Sequence, residues 1–444
     1  MRRGKTFGMS ATVVGLAAIM LSVGAVSGRI DRSEPTSASS RGVADQPAGV
    51  LGKAATAASV RTLQTRLKSL PNDWSAWSNL GMLYTAQARL TADPSYYGKA
   101  DGAFAESLKI RPQDNAIALT GKAALAASRH DFSDALTLTK ASEKLDSYNA
   151  TNLGVKFDAL SELGRYPEAF TVLQRMVDLK PGVASYTRVS YSYELRGEHE
   201  GAKFALTRAL EIAQRPDDIS YARQYLGELA FNSGDLTTAE KHFTQGLRDD
   251  PTHVPLLAGR ARVEAARGRS ENALRDWQSV TNRLPQTSYL IEYGDLLAAM
   301  GRHREAGAQY AIVDATAKLF QAQGANVDLE LSLYDADQGR GAKSLAAAKA
   351  EQGRRQSVHV EDAYAWALHA AGRDKEALVH AKAAARLGMR NALFSYHRGI
   401  IEKSLGQRSA AISSLRQVLK INPYFSPLQA PLARKALAEL EGGR

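Results

Sequence analysis

The chain has 444 residues, of which 44% are hydrophobic and 23% charged, with a formal net charge of +11 and no cysteine. That length exceeds one compact core but suits a solenoid, in which each unit needs only its neighbours. The lack of cysteine removes disulfides, thiolate metal sites, cysteine nucleophiles and lipid attachment through an N-terminal cysteine.

Arg2, Arg3 and Lys5 precede an uncharged run from Phe7 to Gly28, closed by Arg29. A basic head before an apolar segment is the pattern of an export signal, with the positive end kept in the cytoplasm. Two readings of residues 1–28 stay open. Val23-Gly24-Ala25 and Ala25-Val26-Ser27 have the small residues of a cleavage site, whereas 22 uncharged residues are also long enough for a single transmembrane anchor. Either way the bulk of the protein is expected outside the cytoplasm, membrane-anchored or secreted. Residues 29–53, rich in Ser, Ala, Pro, Gly and Arg, read as a flexible linker.

From Ala54 the pattern is helical. Val60, Leu63, Leu67 and Leu70 form the stripe of a lone leading helix ending at Pro71. Trp77, Leu80, Gly81 and Tyr84 then begin a helix pair completed by Ala100, Phe104, Leu108 and Pro112. The stretch between its stripes, Gln87 to Tyr97, is about seven residues longer than a tight turn, which predicts a loop projecting from one edge. Further pairs read as 113–147, 148–181, 183–216, 218–251, 253–285, 286–320, 327–353, 358–389 and 391–423, with a closing helix near 431–440. The clearest is Tyr221 to Pro251. Tyr221, Tyr225, Leu226, Leu229 and Ala230 form one stripe, Leu236, Ala239, Phe243 and Leu247 a second, and Asn232-Ser233-Gly234-Asp235 separates them. Its turn glycine recurs at Gly164, Gly197, Gly234, Gly268, Gly301, Gly339, Gly372 and Gly406, at spacings of 33, 37, 34, 33, 38, 33 and 34.

This pattern, carried by Leu226-Gly227, Ala230, Gly234, Ala239, Phe243 and Pro251, resembles the tetratricopeptide repeat (TPR), over about residues 75–423. The whole sequence is similar to bacterial exported TPR proteins of unestablished role. The resemblance implies an all-α fold, a right-handed superhelical α-solenoid of about ten helix pairs. Its first part is expected over 54–323 and a basic C-terminal part with a capping helix over 324–444, with a change of curvature or a hinge at Gly324. It further implies a concave groove lined by the first helix of each pair. Carried over by the turn glycine, the groove positions are Thr187, Tyr191 and Glu194, then Tyr221, Gln224, Glu228 and Asn232, then Arg262, and then Ile291 and Asp295. Such a mixture of tyrosine, amide and both charge signs suits an extended peptide or a helix of a protein partner.

Charge gathers at the ends. Residues 354–444 hold 15 Lys and Arg against 7 Asp and Glu, and residues 1–53 hold 7 against 3. A basic C-terminal part could meet anionic lipid or an acidic wall polymer, and the export signal argues against nucleic acid. The sequence shows no nucleophile elbow, Walker loop, dinucleotide fingerprint or zinc motif, so neither enzyme activity nor a cofactor is expected. Gly339 to Ser344 ends like a phosphate loop but occupies a repeat turn. His359 and His369 lie on different sides of one helix, and Asp335 and Asp337 point apart, so no metal site is expected. The leading expectation is a non-enzymatic scaffold for a protein or peptide partner outside the cytoplasm. The alternatives are an envelope assembly or trafficking factor acting through the basic end, and a metal-binding protein or enzyme.

Overall fold

The computed structural model of the protein describes residues 53–442. The expected signal or anchor segment and the linker up to residue 52 lie outside the described residues. A lone helix α1 (Lys53–Ser69) leads into pairs α2 (Trp74–Thr91) with α3 (Ser95–Ile110), α4 (Ala116–Ser128) with α5 (Phe132–Leu145) and α6 (Ala150–Glu162) with α7 (Tyr166–Leu179). Pairs α8 (Val183–Leu195) with α9 (His199–Ile212), α10 (Pro216–Asn232) with α11 (Leu236–Asp249), α12 (Val254–Ala266) with α13 (Ser270–Arg283) and α14 (Thr287–Ala299) with α15 (His303–Ala322) follow. The last are α16 (Asp328–Asp337) with α17 (Gly341–Arg354), α18 (Val358–Ala370) with α19 (Asp374–Ala384) and α20 (Ala392–Ser404) with α21 (Arg408–Ile421), and α22 (Gln429–Gly442) closes the stack. Among the described residues there are ten pairs, one leading helix, one closing helix and no strand, as the periodicity predicts.

Several of the helix starts share one local chemistry. Asp73, Asn115, Asp131, Asn149, Asp235 and Asn391 accept from backbone N–H groups of the first helical turn, satisfying donors that a helix start leaves unpaired. Within a pair the first helix comes close because a small residue faces an aromatic ring. A β-carbon at Gly227 or Gly259 would collide with the Phe243 ring, which is fully buried between the two. Pair two lacks the turn glycine. His130 takes the left-handed position instead, at φ 60°, while Asp131 N donates to Ala126 O at 2.9 Å as its counterparts do after each glycine.

The predicted edge loop between Gln87 and Tyr97 is corrected. The helix formers Ala86, Ala88 and Leu90 carry α2 on to Thr91, leaving only Ala92 to Pro94 as the turn, with Ala92 at φ 52°. The extra residues lengthen the pair. They bring Tyr97 into the core, edge-on to Phe320 with ring centroids 6.4 Å apart, and its hydroxyl donates to Ser128 O at 3.2 Å. Helix α15 runs to Ala322 and breaks at Gly324 as the sequence indicates.

Beyond that break the coil lies on itself. Asn326 N donates to Arg129 O at 2.9 Å, Val358 N to the Tyr166 hydroxyl at 2.8 Å, and Asn422 Nδ2 to Phe231 O at 2.8 Å. Arg355 Nη1 meets Glu162 Oε2 at 2.5 Å. The hydrogen-bond separations along the chain, 196 residues at His130 to Asn326, 193 at Arg355 to Glu162, 192 at Val358 to Tyr166 and 191 at Asn422 to Phe231, are nearly constant. One superhelical turn therefore takes roughly six units of 34 residues, and the second turn's inter-pair loops rest on the first turn's intra-pair turns.

Candidate partner-binding trough

The tight coil decides which groove positions stay open. The residues ten before each turn glycine, Thr187, Gln224 and Ile291, are buried between neighbouring first helices. Thr187 spends its hydroxyl on Val183 O at 3.0 Å, Gln224 donates to Glu228 Oε1 at 3.0 Å, and Ile291 packs with Leu290, Val313 and Tyr334. Tyr221 is also buried, crossing Tyr225 edge-on at 4.9 Å. Asp295 turns toward its own pair and accepts from the Tyr310 hydroxyl at 2.7 Å. Strong curvature presses first helices together on the inner side, so these five line the wall's interior and not its surface. Six residues before the glycine, Tyr191, Glu228 and Arg262 keep part of their surface, as does Glu194 nearer the turn. Asn232 is exposed at the end of α10.

Three trough residues escaped the sequence reading. Tyr225, Tyr289 and Glu292 share the wall, and Arg262 clasps Glu292 through two bonds of 2.6 and 2.7 Å. The signal was there: positions nine before the glycine carry Arg188, Tyr225 and Glu292, polar groups one residue on from the groove position that the repeat assigns.

Electrostatically the wall holds more carboxylate than cation. Burial pushes the Glu194 carboxyl up to about 7, helped by neighbouring Glu228 and opposed by the Ser190 hydroxyl at 3.4 Å. Burial likewise raises Glu228, against the pull of Arg262 and Gln224. Both side chains keep part of their surface yet lie deep in the coil, where protein surrounds them. Deeper still, Asp158 binds Arg188 through bonds of 2.9 and 2.7 Å, and burial holds its carboxyl up at about 6 against that cation. Burial raises the hydroxyls of Tyr191, Tyr225 and Tyr289, which leaves them as neutral donors across the physiological range. The field of Arg89 on α2 reaches Tyr221, Tyr225 and His253, so the first pair faces the fifth and sixth.

The other sequence candidates take separate partners. His369 pairs with Asp374, His380 with Glu361 and His397 with Asp362, each carboxylate different, while His359 lies edge-on to Phe394. Asp335 holds Arg340 and Lys343, whereas Asp337 accepts from the Trp366 indole at 2.8 Å and from Gln429 at 3.2 Å. Gly339 to Ser344 is the turn and first residues of α17.

Residues 394–425 match the tetratricopeptide repeat family. The pairs before them repeat its hairpin, turn and packing, and the chain is an α-solenoid of TPR-like helix pairs. No curated protein matches the chain. Among solved structures, a tetratricopeptide repeat protein from Parabacteroides merdae is similar at 15% identity over 58% of this chain and 98% of that one, with a TM-score of 0.35. The anaphase-promoting complex hetero-tetramer of Cut9 and Hcn1 is similar at 15% identity, over 87% of this chain and 82% of that one, with a TM-score of 0.40. A TPR protein of Thermus thermophilus reaches 22% identity over 42% of this chain and 99% of that one, at 0.38. At such scores these likenesses carry no argument about what this chain binds.

Proposed function

We propose that the chain is a non-enzymatic scaffold that holds a protein or peptide partner in its inner trough, through Tyr191, Glu194, Tyr225, Glu228 and Arg262. One observation carries the reading: a coil whose inner helices are otherwise packed dry leaves tyrosine, carboxylate and arginine groups side by side at partial exposure. Water satisfies them poorly there, and a threaded chain with its own donors and acceptors satisfies them better. The basic head and apolar run at 1–28 support an extracytoplasmic place of action, anchored or secreted.

The test is affinity capture from envelope extracts with the wild-type chain and with Tyr191→Ala and Glu228→Ala. Partners held by the wild type are expected to be lost from both variants. Unchanged partners on both would remove the trough as the site. Protease accessibility of the chain in intact cells tests the placement, with protection throughout as the contrary result.

A further inference from the structure

Where the second turn runs out, a cleft is left. The first turn's intra-pair turns at Gly164, Gly197 and Gly234 have second-turn backbone or proline lying on them, whereas nothing lies within 4 Å of a β-carbon built at Gly268 or Gly301. Between the open ledge of α12 to α14 and the segment leading into α22 lies a cavity of about 280 Å³. Phe231, Trp277, Leu296 and Met300 form its floor, and Tyr424 and Pro427 face them. Arg262 and Glu292 also line it, so it opens off the trough.

We propose that this cleft takes one bulky apolar side chain of a bound peptide together with the acidic residue beside it. The inference rests on the trough reading and names the partner's chemistry. The volume is near the lower end for ligand pockets, roughly 300 Å³, which suits a single side chain. Its walls are aromatic, aliphatic and proline. The charges sort the neighbour. Arg262 and Glu292 cancel in their two-bond clasp, and Arg434 at the rim donates only to Pro423 O at 3.0 Å, with no carboxylate among the described residues paired to it. The start of α22, where Ser426 Oγ accepts from Gln429 N at 3.1 Å, adds the positive end of a helix beside the same rim. An apolar hole with a guanidinium at its mouth that no carboxylate of the described residues engages selects an apolar residue next to a carboxylate and disfavours one next to an ammonium. Because Arg262 and Glu292 belong to both, a peptide held in the trough lies next to the cleft.

The experiment titrates the full chain with four fluorescein-labelled pentapeptides, Gly-Gly-Phe-Asp-Gly and its Phe-Lys, Ala-Asp and Ala-Lys relatives, and reads anisotropy. The Phe-Asp peptide is expected to bind about tenfold or more tighter than the other three. Arg434→Glu, on an exposed side chain, is expected to move the preference to the Phe-Lys peptide. Ala266→Trp, which fills the cleft from α12, is expected to abolish the preference for Phe while helicity and melting temperature stay unchanged. If Ala266→Trp and Arg434→Glu leave selectivity intact while Tyr191→Ala removes binding, the trough stands and the cleft assignment falls. If the wild type binds none of the four, or all four alike, the cleft assignment falls as well, and the capture experiment with Tyr191→Ala and Glu228→Ala decides the trough by itself.

Discussion

The covered and the open edges of the coil are built from the same turn, yet they ask different things of it. Gly197 and Gly301 both adopt left-handed backbone, at φ 72° and 76°, which an L side chain enters only with strain. At Gly301 that local demand is the whole reason for glycine. At Gly197 a β-carbon would also collide with the Gly388 carbonyl oxygen of the turn above. Exposed ion pairs flank turns on both edges, Arg165 with Glu168 beside the covered Gly164 included, but a buried one crosses between turns only where the coil is covered. Arg355 is 3% exposed and lies between Glu162 and Glu351, tying one turn to the next, whereas Arg373 and Glu376 on the open edge are 46% and 56% exposed. The covered edge thus holds the coil closed, and the open edge, free of such duties, is where the chain can meet something else.

The largest expected effect is at the tie itself. Arg355→Ala leaves Glu162 buried without a cation and Glu351 with Arg354 alone, a loss of roughly 3–5 kcal/mol, while Arg373→Ala, on an exposed pair of the open edge, is expected to change stability little. Urea unfolding of the two variants checks the contrast, and equal losses would remove the energetic distinction between the edges. Next come the turn glycines. Gly301→Ala is expected to cost about 1–2 kcal/mol from backbone strain alone, and Gly197→Ala a further 1–3 kcal/mol because the second turn must shift. Small-angle scattering adds an independent reading, since only Gly197→Ala should enlarge the coil.

The ten pairs, the lone end helices and the break at Gly324 were legible because helix pairing is local: a stripe, a cap and a turn glycine each report on residues within about one turn of helix. The error at Gln87 to Tyr97 has the same root. Excess length between two stripes reads as a loop, although Ala86, Ala88 and Leu90 favour helix, and the reason for a longer pair, Phe320 packed against Tyr97, lies a whole superhelical turn away. The trough was half legible for a similar reason. Counting from the turn glycine places residues on the inner side of a repeat, but how far that side is exposed depends on curvature, which no single repeat encodes. Hence Thr187, Gln224 and Ile291 are buried and Glu228 and Arg262 reach solvent, although all five stand at positions the repeat assigns to the groove. In the sequence Arg434 is one more charge in a basic end. That its neighbour is a cleft follows from where the spiral stops.

The smallest effect sharpens the comparison through pH. Glu330 sits beside the tie, where burial raises its carboxyl to about 7, with Glu351 and Glu162 pushing the same way and Arg355 opposing. Its ordinary value is 4.5, so between 4.5 and 7 the folded chain keeps a proton that the unfolded chain has lost. Stability attributable to this group is therefore full at or below 4.5, declines as pH rises through that window and is gone above 7. Glu330→Gln fixes the neutral form. Its melting temperature is expected to match the wild type in acid, to rise above it as pH increases, and to hold a constant lead from about pH 8 upward. Glu376→Gln, on the open edge, should show the opposite and weaker trend, because the hydrogen bond from Arg373 lowers that carboxyl and the change removes a favourable charge. Melting curves of both variants across the range decide it. A lead for Glu330→Gln that does not vary with pH would mean the carboxyl is already charged in the folded chain, and the junction between the turns would then be wetter than its packing indicates.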